Sequence, residues 1–246
     1  MNKHYEFKYH RLEDNHWFFI ARRAMIFGLI KQLNIKQNSK ILDIGCSSGS
    51  LMQLLARKDF KNVYGIDKSI NAVNLCKKRG FKNVNVMDAA KTKFNNDEFD
   101  VIITSDILEH IKNDNSALKE WNRILKHGGK LIIFVPAFDL LWSKHDEINH
   151  HYRRYSKSEL MCCLKKSNFK MIRCSYWNFS LFFPMILFKY FRYIFLRNEN
   201  QKSDNLYELN PFANKALLSL LGFENLVLKY LNFPFGVSIF TLAVKT

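Results

Sequence analysis

From Lys40 onward, short apolar runs alternate with stretches of helical periodicity. Lys40–Ile44 (KILDI), Asn62–Ile66 (NVYGI), Asn83–Met87, Phe99–Thr104 and Gly129–Val135 have the β-branched, bounded character of buried strands. Between them, Leu51–Arg57, Asn71–Arg79 and Ser116–Leu125 have helical spacing. Strands alternating with helices predict parallel βαβ units with right-handed crossovers. Strands that are apolar nearly throughout predict a sheet covered on both faces. Ahead of this core, Trp17, Ile20, Ala24, Phe27 and Ile30 mark one face of a helix over Trp17–Leu33. Beyond Pro136 the pattern loosens. Ser156 and Glu159 form a capping box for a helix to about Lys166, and Phe169–Ser175 reads as a strand. An aromatic stretch and a polar run (NENQKSDN) follow, then a helix around Lys215–Tyr230 and a closing strand Val237–Val244.

A chain of 246 residues that is 48% hydrophobic and 24% charged has room for one sizeable buried core. The predicted organisation is a single domain over 1–246. Residues 1–37 form an N-terminal cap, 38–137 a ligand-binding core, and 138–246 the substrate side and last strands, including the aromatic insertion. The five cysteines are odd in number and lack disulfide or zinc spacing, which predicts reduced thiols in a cytoplasmic protein. The opening residues predict no signal peptide. The uncharged run Ser175–Phe188 is shorter than the roughly 20 residues of a spanning helix and contains Pro184. The net charge of +16 is concentrated late: from Arg153 to Arg197, ten lysines and arginines stand against one acid, Glu159. Ten aromatics lie between Tyr176 and Phe195. That combination predicts an anionic partner such as a membrane face met peripherally, a phosphorylated acceptor or RNA.

The informative segment is Ile41–Leu51, ILDIGCSSGSL. A strand ends in an acid, Asp43, and Gly45 and Gly49 then open a loop before a helix. Such a crevice at the carboxyl end of a strand is where open α/β sheets bind ligands. A pyrophosphate fingerprint is disfavoured, because its second and third glycines would fall on Ser47 and Ser50. Asp67 ends the second strand, where a carboxylate can accept ribose hydroxyls, and Asp88 and Asp106 follow the third and fourth.

ILDIGCSSGSL, YGIDKS, VMDAAK, FDVIITSDILEHI and LKEWNRILKHGGKLIIFVPA resemble, in order, the motifs of class I S-adenosylmethionine-dependent methyltransferases. HWFFIARRAMI, WSKHDEINHHYRRYSKSEL and FPFGVSIFTLAVK resemble the flanks of an uncharacterised subfamily with HWWFxxRR and HxRRY-type segments. The resemblance implies a doubly wound, mostly parallel seven-stranded sheet whose last strand is antiparallel. It implies that Asp43, Gly45, Cys46 and Gly49 hold the methionine part of S-adenosylmethionine. Asp67 would hold the ribose and Asp88 the adenine, with Lys68, Ala89 and Asp106 also in the cofactor-binding set. Cys46–Ser47 departs from relatives that carry Cys-Gly or Gly-Thr.

Methyl transfer needs alignment and, for some acceptors, removal of a proton. The candidate catalytic residues are His110, in the DILEHI segment with Glu109, and His151. His145, Asp146, Arg153, Arg154 and Tyr155 form a candidate acceptor-binding set, with a two-arginine fork suited to phosphate or carboxylate. Arg22 or Arg23 could reach the cofactor carboxylate. No recognised metal-ligand spacing occurs, so no metal is expected. The leading expectation is methylation of a small, lipid-linked or glycan-linked acceptor on oxygen. An RNA methyltransferase is the alternative that the charge favours, although SDILEH replaces the NPPY-type segment used on base amino groups, so nucleic acid is the less favoured partner. A non-catalytic cofactor-binding module is the third reading.

Overall fold

The computed structural model describes residues 3–195 and 209–246. The polar run of residues 198–205, and Arg197 among the basic candidates, lie outside the described residues. Two helices come first, α1 (Lys3–Glu13) and α2 (Trp17–Gln32). The core follows as β1 (Ile41–Ile44), α3 (Ser50–Ala56), β2 (Val63–Asp67), α4 (Ile70–Lys78), β3 (Val84–Val86) and β4 (Phe99–Ser105). Next come α5 (Asp114–Ile124), β5 (Leu125–Pro136), α6 (Lys144–Ile148), α7 (Lys157–Lys166) and β6 (Phe169–Trp177). The chain closes with α8 (Phe182–Phe195), α9 (Pro211–Val227) and β7 (Ser238–Lys245).

The seven strands form one sheet in the order β3-β2-β1-β4-β5-β7-β6. β1 to β5 pair in parallel, while β7 runs antiparallel to both β5 and β6. The sequence therefore predicted the sheet and its antiparallel last strand. Strand order reverses between β1 and β4, and the crevice at their carboxyl ends is the ligand position that such a switch creates.

The alternation of side chains across the pleat builds a core on each face. Val101 and Ile103 of β4 pack with Met25 and Leu29 of α2, while Ile102 packs with Leu118 and Trp121 of α5. Trp121 is fully buried, and its indole N–H donates to the Ala89 carbonyl at 2.8 Å, tying α5 to the loop after β3. The Ser156–Glu159 capping box forms as the sequence predicts.

Three helices carried no sequence prediction: α1, α6 and α8. The aromatic stretch is divided between two roles. Tyr176 and Trp177 are buried in β6, whereas Phe183, Leu187 and Tyr190 on α8 face outward.

Candidate active site

The turn after β1 is made by backbone that side chains resist. Gly45 has φ +78° and Gly49 φ +84°. A Cβ on Gly45 would lie 2.1 Å from Cδ1 of Ile107, so the glycine loop presses directly on the segment after β4. Ser47, at the position where the sequence departs from the family pattern, also takes a positive φ, +49°. Its strain is offset by local bonding. The Ser47 N–H donates to Asp67 Oδ2 at 3.0 Å and its hydroxyl to Glu13 at 2.9 Å. Gly45 and Cys46 donate their N–H groups to the Ile66 carbonyl at 2.8 and 3.0 Å, locking the loop to β2. Cys46 is buried, with its sulfur 3.9 Å from that of Cys76, and its thiol is pushed far up by that contact and by burial.

Asp67 sits where expected, at the tip of β2. Its Oδ1 accepts the Ser69 N–H at 2.8 Å. Burial, opposed by the Ser69 and Ser47 N–H groups, leaves its carboxyl raised. Burial, with the charges of Glu13 and Asp67, pushes Asp43 up to about 8. Three carboxylates thus face one loop, an arrangement that a bound cation relieves. The residues fit S-adenosylmethionine, which carries a sulfonium and an ammonium, and Asp43, Gly45, Gly49 and Asp67 are those that would hold it. Lys68 and Asp88 lie on the outer rim. Asp88 accepts the Ala90 N–H at 2.7 Å, shaping the turn that carries Ala89.

The acids at the end of α1 had no sign in the sequence pattern. Glu13 accepts from the Ser48 N–H at 3.2 Å and the Ser48 hydroxyl at 2.6 Å. Asp14, the next residue, takes the Ser50 hydroxyl at 2.6 Å and pairs with Arg79 at 2.7 Å. The end of α1 therefore covers the glycine loop. The segment Lys3–Glu13 lacks a clear apolar periodicity, which is why pattern reasoning passed over its acids.

Arg22 is held by the ends of the central strands. It is buried beneath the tips of β4 and β7, donating to Ser105 at 2.7 Å, Asp106 at 3.0 Å and Ser238 at 3.3 Å. Its guanidinium lies 4.4 Å from the Trp177 ring centroid and 4.5 Å from that of Phe134. Asp106 is thereby fixed at the end of β4. Arg23 bonds main-chain carbonyls of Glu13 and Asp14 and so holds α1 to α2.

Beyond β4, a 3-10 turn (Leu108–His110) places Glu109 inward and His110 against His151, with ring centroids 4.5 Å apart. Burial and the neighbouring His151 hold His110 down at about 4, so it is neutral at pH 7. His145 is held at about 4 for the same reasons. Nδ1 of His151 bonds Asp146 at 2.9 Å. Asp146 is completely buried and also accepts both arms of Arg154, each at 2.9 Å, and the Ser143 N–H at 2.8 Å. Burial opposes its ionisation, but the His151 and Arg154 hydrogen bonds outweigh burial and hold it well below the usual carboxylate range.

These contacts alter the acceptor set read from the sequence. The two arginines do not form a fork. Arg154 is buried on Asp146, and Arg153 points to Asp114 at 2.8 Å and the Lys112 carbonyl at 2.6 Å. Tyr155 is buried and donates to the same Asp114 at 3.1 Å. Consecutive residues diverge here because the extended backbone at the Tyr155–Ala137 bridge alternates its side chains, so Arg153 and Tyr155 share the side of Asp114 and Arg154 takes the other. His145, His151 and Asp146 converge with His110 and Glu109, and that grouping of 109–110 with 145–151 is the part that spacing could not reveal.

Residues 42–133 match the model of a methyltransferase domain family. Phosphoethanolamine N-methyltransferase 1 of Zea mays is 35% identical over 109 residues, 42% of this chain and 22% of that protein. The tRNA (carboxymethyluridine(34)-5-O)-methyltransferase of Xenopus tropicalis is 30% identical over 115 residues, 46% of this chain and 18% of that protein. The chain thus spans about a fifth of the length of these curated relatives. Among solved structures, phosphoethanolamine N-methyltransferase 2 of Haemonchus contortus with phosphomonomethylethanolamine and S-adenosylhomocysteine superposes with a TM-score of 0.61. It is 23% identical, and the match covers 98% of this chain and 57% of that one. With its glycine loop, its strand-end acids and its sheet order, the chain carries over residues 42–133 a methyltransferase domain on the fold of the class I S-adenosylmethionine-dependent methyltransferases.

Proposed function

We propose that this chain transfers a methyl group from S-adenosylmethionine to an oxygen of a small, lipid-linked or glycan-linked acceptor. The observation that supports it best is the placement of His110 and the Asp146–His151 pair. His110 stands on the segment that Ile107 presses against Gly45 of the glycine loop, and His151 packs against it from the loop after α6, held by Asp146. The cofactor supplies a methyl group already activated by its sulfonium. The protein's share is to align an acceptor oxygen and remove its proton. His110 is neutral at pH 7, and Asp146 fixes the His151 tautomer, so both present imidazoles able to act on an acceptor hydroxyl. As the proton leaves, the new O–C bond forms, and the S–C electron pair stays on sulfur as a thioether.

The relatives named for phosphoethanolamine favour a small phosphorylated acceptor, but one methylated on nitrogen. The tRNA relative, with the net charge of +16, favours RNA as the second reading. We further propose peripheral contact with anionic membrane through the outward apolar side chains of α8. Lys189, one of the ten basic residues from Arg153 to Arg197, gives two of its ammonium protons to the carbonyls of Leu140 at 2.6 Å and Trp142 at 2.9 Å. No helix among the described residues is long and apolar enough to cross a membrane.

The test is transfer of labelled methyl from the cofactor into lipid, glycan and RNA fractions and into phosphoethanolamine. Label in lipid or glycan, released as a methyl ether, supports the reading. Label in RNA alone replaces it with the second, and label only on nitrogen overturns the choice of atom. Intact cofactor binding with no label anywhere overturns catalysis.

A further inference from the structure

The sequence offered no metal-ligand spacing, yet the fold assembles a ligand set. One ligand atom each from Glu109, His110 and His151 lies within 4.8 Å of the others. Glu109 comes from the turn after β4, and His151 from the loop after α6.

The chemistry around the three residues is selective. Glu109 is completely buried, and neither carboxylate oxygen has a hydrogen-bond partner. A bare buried carboxylate is strongly disfavoured, and native interiors almost always satisfy such groups. Its occupant must therefore be a proton or a cation. The two histidines favour a cation. Nδ1 of His151 is taken by Asp146, which leaves Nε2 to offer its lone pair. Asp146 is itself clamped by Arg154 and Ser143. The main-chain carbonyl of Asn149 faces a ring nitrogen of His110, so its other nitrogen is likewise left as a donor of electrons. Metal-bound histidines characteristically have this outer support, with the second ring nitrogen held by a carboxylate or a carbonyl.

We propose that Glu109, His110 and His151 bind one divalent transition-metal ion. Two imidazoles and one carboxylate suit Zn²⁺, Fe²⁺ or Mn²⁺ better than Mg²⁺ or Ca²⁺, whose preferred ligands are all oxygen. Three protein ligands leave open coordination positions, the mark of a metal that handles substrate and not of a structural one.

This inference rests on the methyl-transfer reading for its purpose, but not for its existence. In that reading the ion takes the acceptor hydroxyl as a ligand and lowers its pKa, so that the proton passes to solvent and the bound oxygen attacks the methyl. His110 and His151 then act as ligands, and the ion does what an imidazole base would otherwise do.

The experiment uses the untagged full chain, stripped with a chelator and exchanged into metal-free buffer. Zn²⁺ and Mn²⁺ are titrated by calorimetry, and retained metal is counted by elemental analysis after gel filtration. One ion per chain is expected, with Glu109→Gln, which keeps the side-chain shape, weakening binding at least tenfold. Wild type should also show imidazole scattering in the X-ray absorption spectrum of the bound Zn²⁺, a readout that no variant's folding can confuse. Failure of wild type to retain stoichiometric metal, absence of imidazole scattering, or unchanged affinity in a folded Glu109→Gln variant each overturns the site. Cofactor affinity is measured separately in the metal-free protein. Metal binding without any methyl transfer would leave the site standing and remove the proposed function instead.

Discussion

Replacing Asp67 tests the cofactor assignment most directly, because this carboxylate has an expected duty and an observed one. It stands at the tip of β2, where the sequence predicts the ribose contact, and it accepts the Ser47 and Ser69 N–H groups at 3.0 and 2.8 Å. Asp67→Ala removes both acceptors. With charged hydrogen bonds contributing about 1.5–3 kcal/mol each, stability should fall by about 3 kcal/mol or more. For a domain of this size each kcal/mol lowers Tm by about 2–4 °C, so the variant should melt roughly 10 °C lower. Loss of the ribose contact adds a separate effect on binding of at least tenfold, about 1.4 kcal/mol. Differential scanning calorimetry gives the first number, and titration of S-adenosylmethionine well below the lowered Tm gives the second. A Tm loss with unchanged cofactor affinity would refute the ribose assignment and leave Asp67 as a loop anchor.

The pH response of Asp43 follows from its position. Its carboxyl, ordinarily near 3.8, is held at about 8 by burial and by Glu13 and Asp67. Between those values the folded chain keeps a proton that the unfolded chain has released. Stability should therefore fall as pH rises from about 4 to 8, by up to about 1.4 kcal/mol per unit. A cationic cofactor favours the ionised form, so affinity should rise toward pH 8 and level above it. Calorimetry at pH 7 in buffers of different ionisation enthalpy should detect proton release, and Asp43→Asn should abolish that release. Gly45→Val should lower Tm as well as abolish cofactor binding, since its Cβ would meet Ile107 at 2.1 Å; an unshifted melting curve would show that Ile107 yields freely. Arg154→Met should destabilise by about 3–5 kcal/mol in denaturant titrations, because it strands the buried Asp146 carboxylate. In flotation assays the chain should bind anionic but not neutral vesicles, and Leu187→Glu on α8 should reduce that binding; no flotation at low salt excludes the lipid contact.

The sheet and the cofactor loop were legible because their causes are local. Apolar runs such as Phe99–Thr104 are strands whichever neighbours they find, and a glycine pair after a strand-end acid needs its particular turn wherever it folds. Even the antiparallel last strand followed from resemblance of whole segments. Other features were decided only by tertiary structure, because they depend on what distant elements bring together. Glu13 and Asp14 close a polar helix with little apolar signature, and only docking of α1 sets them on Ser47, Ser48 and Ser50. Arg153 and Arg154 are adjacent in sequence, and a fork was the natural reading. The pairing of Tyr155 beside Ala137 sends one arginine to Asp114 and the other to Asp146. His110 and His151 are separated by the whole of α5, β5 and α6, so their contact has no periodic signature. It arises because β4 and β5 are parallel neighbours whose carboxyl ends open on the same edge of the sheet.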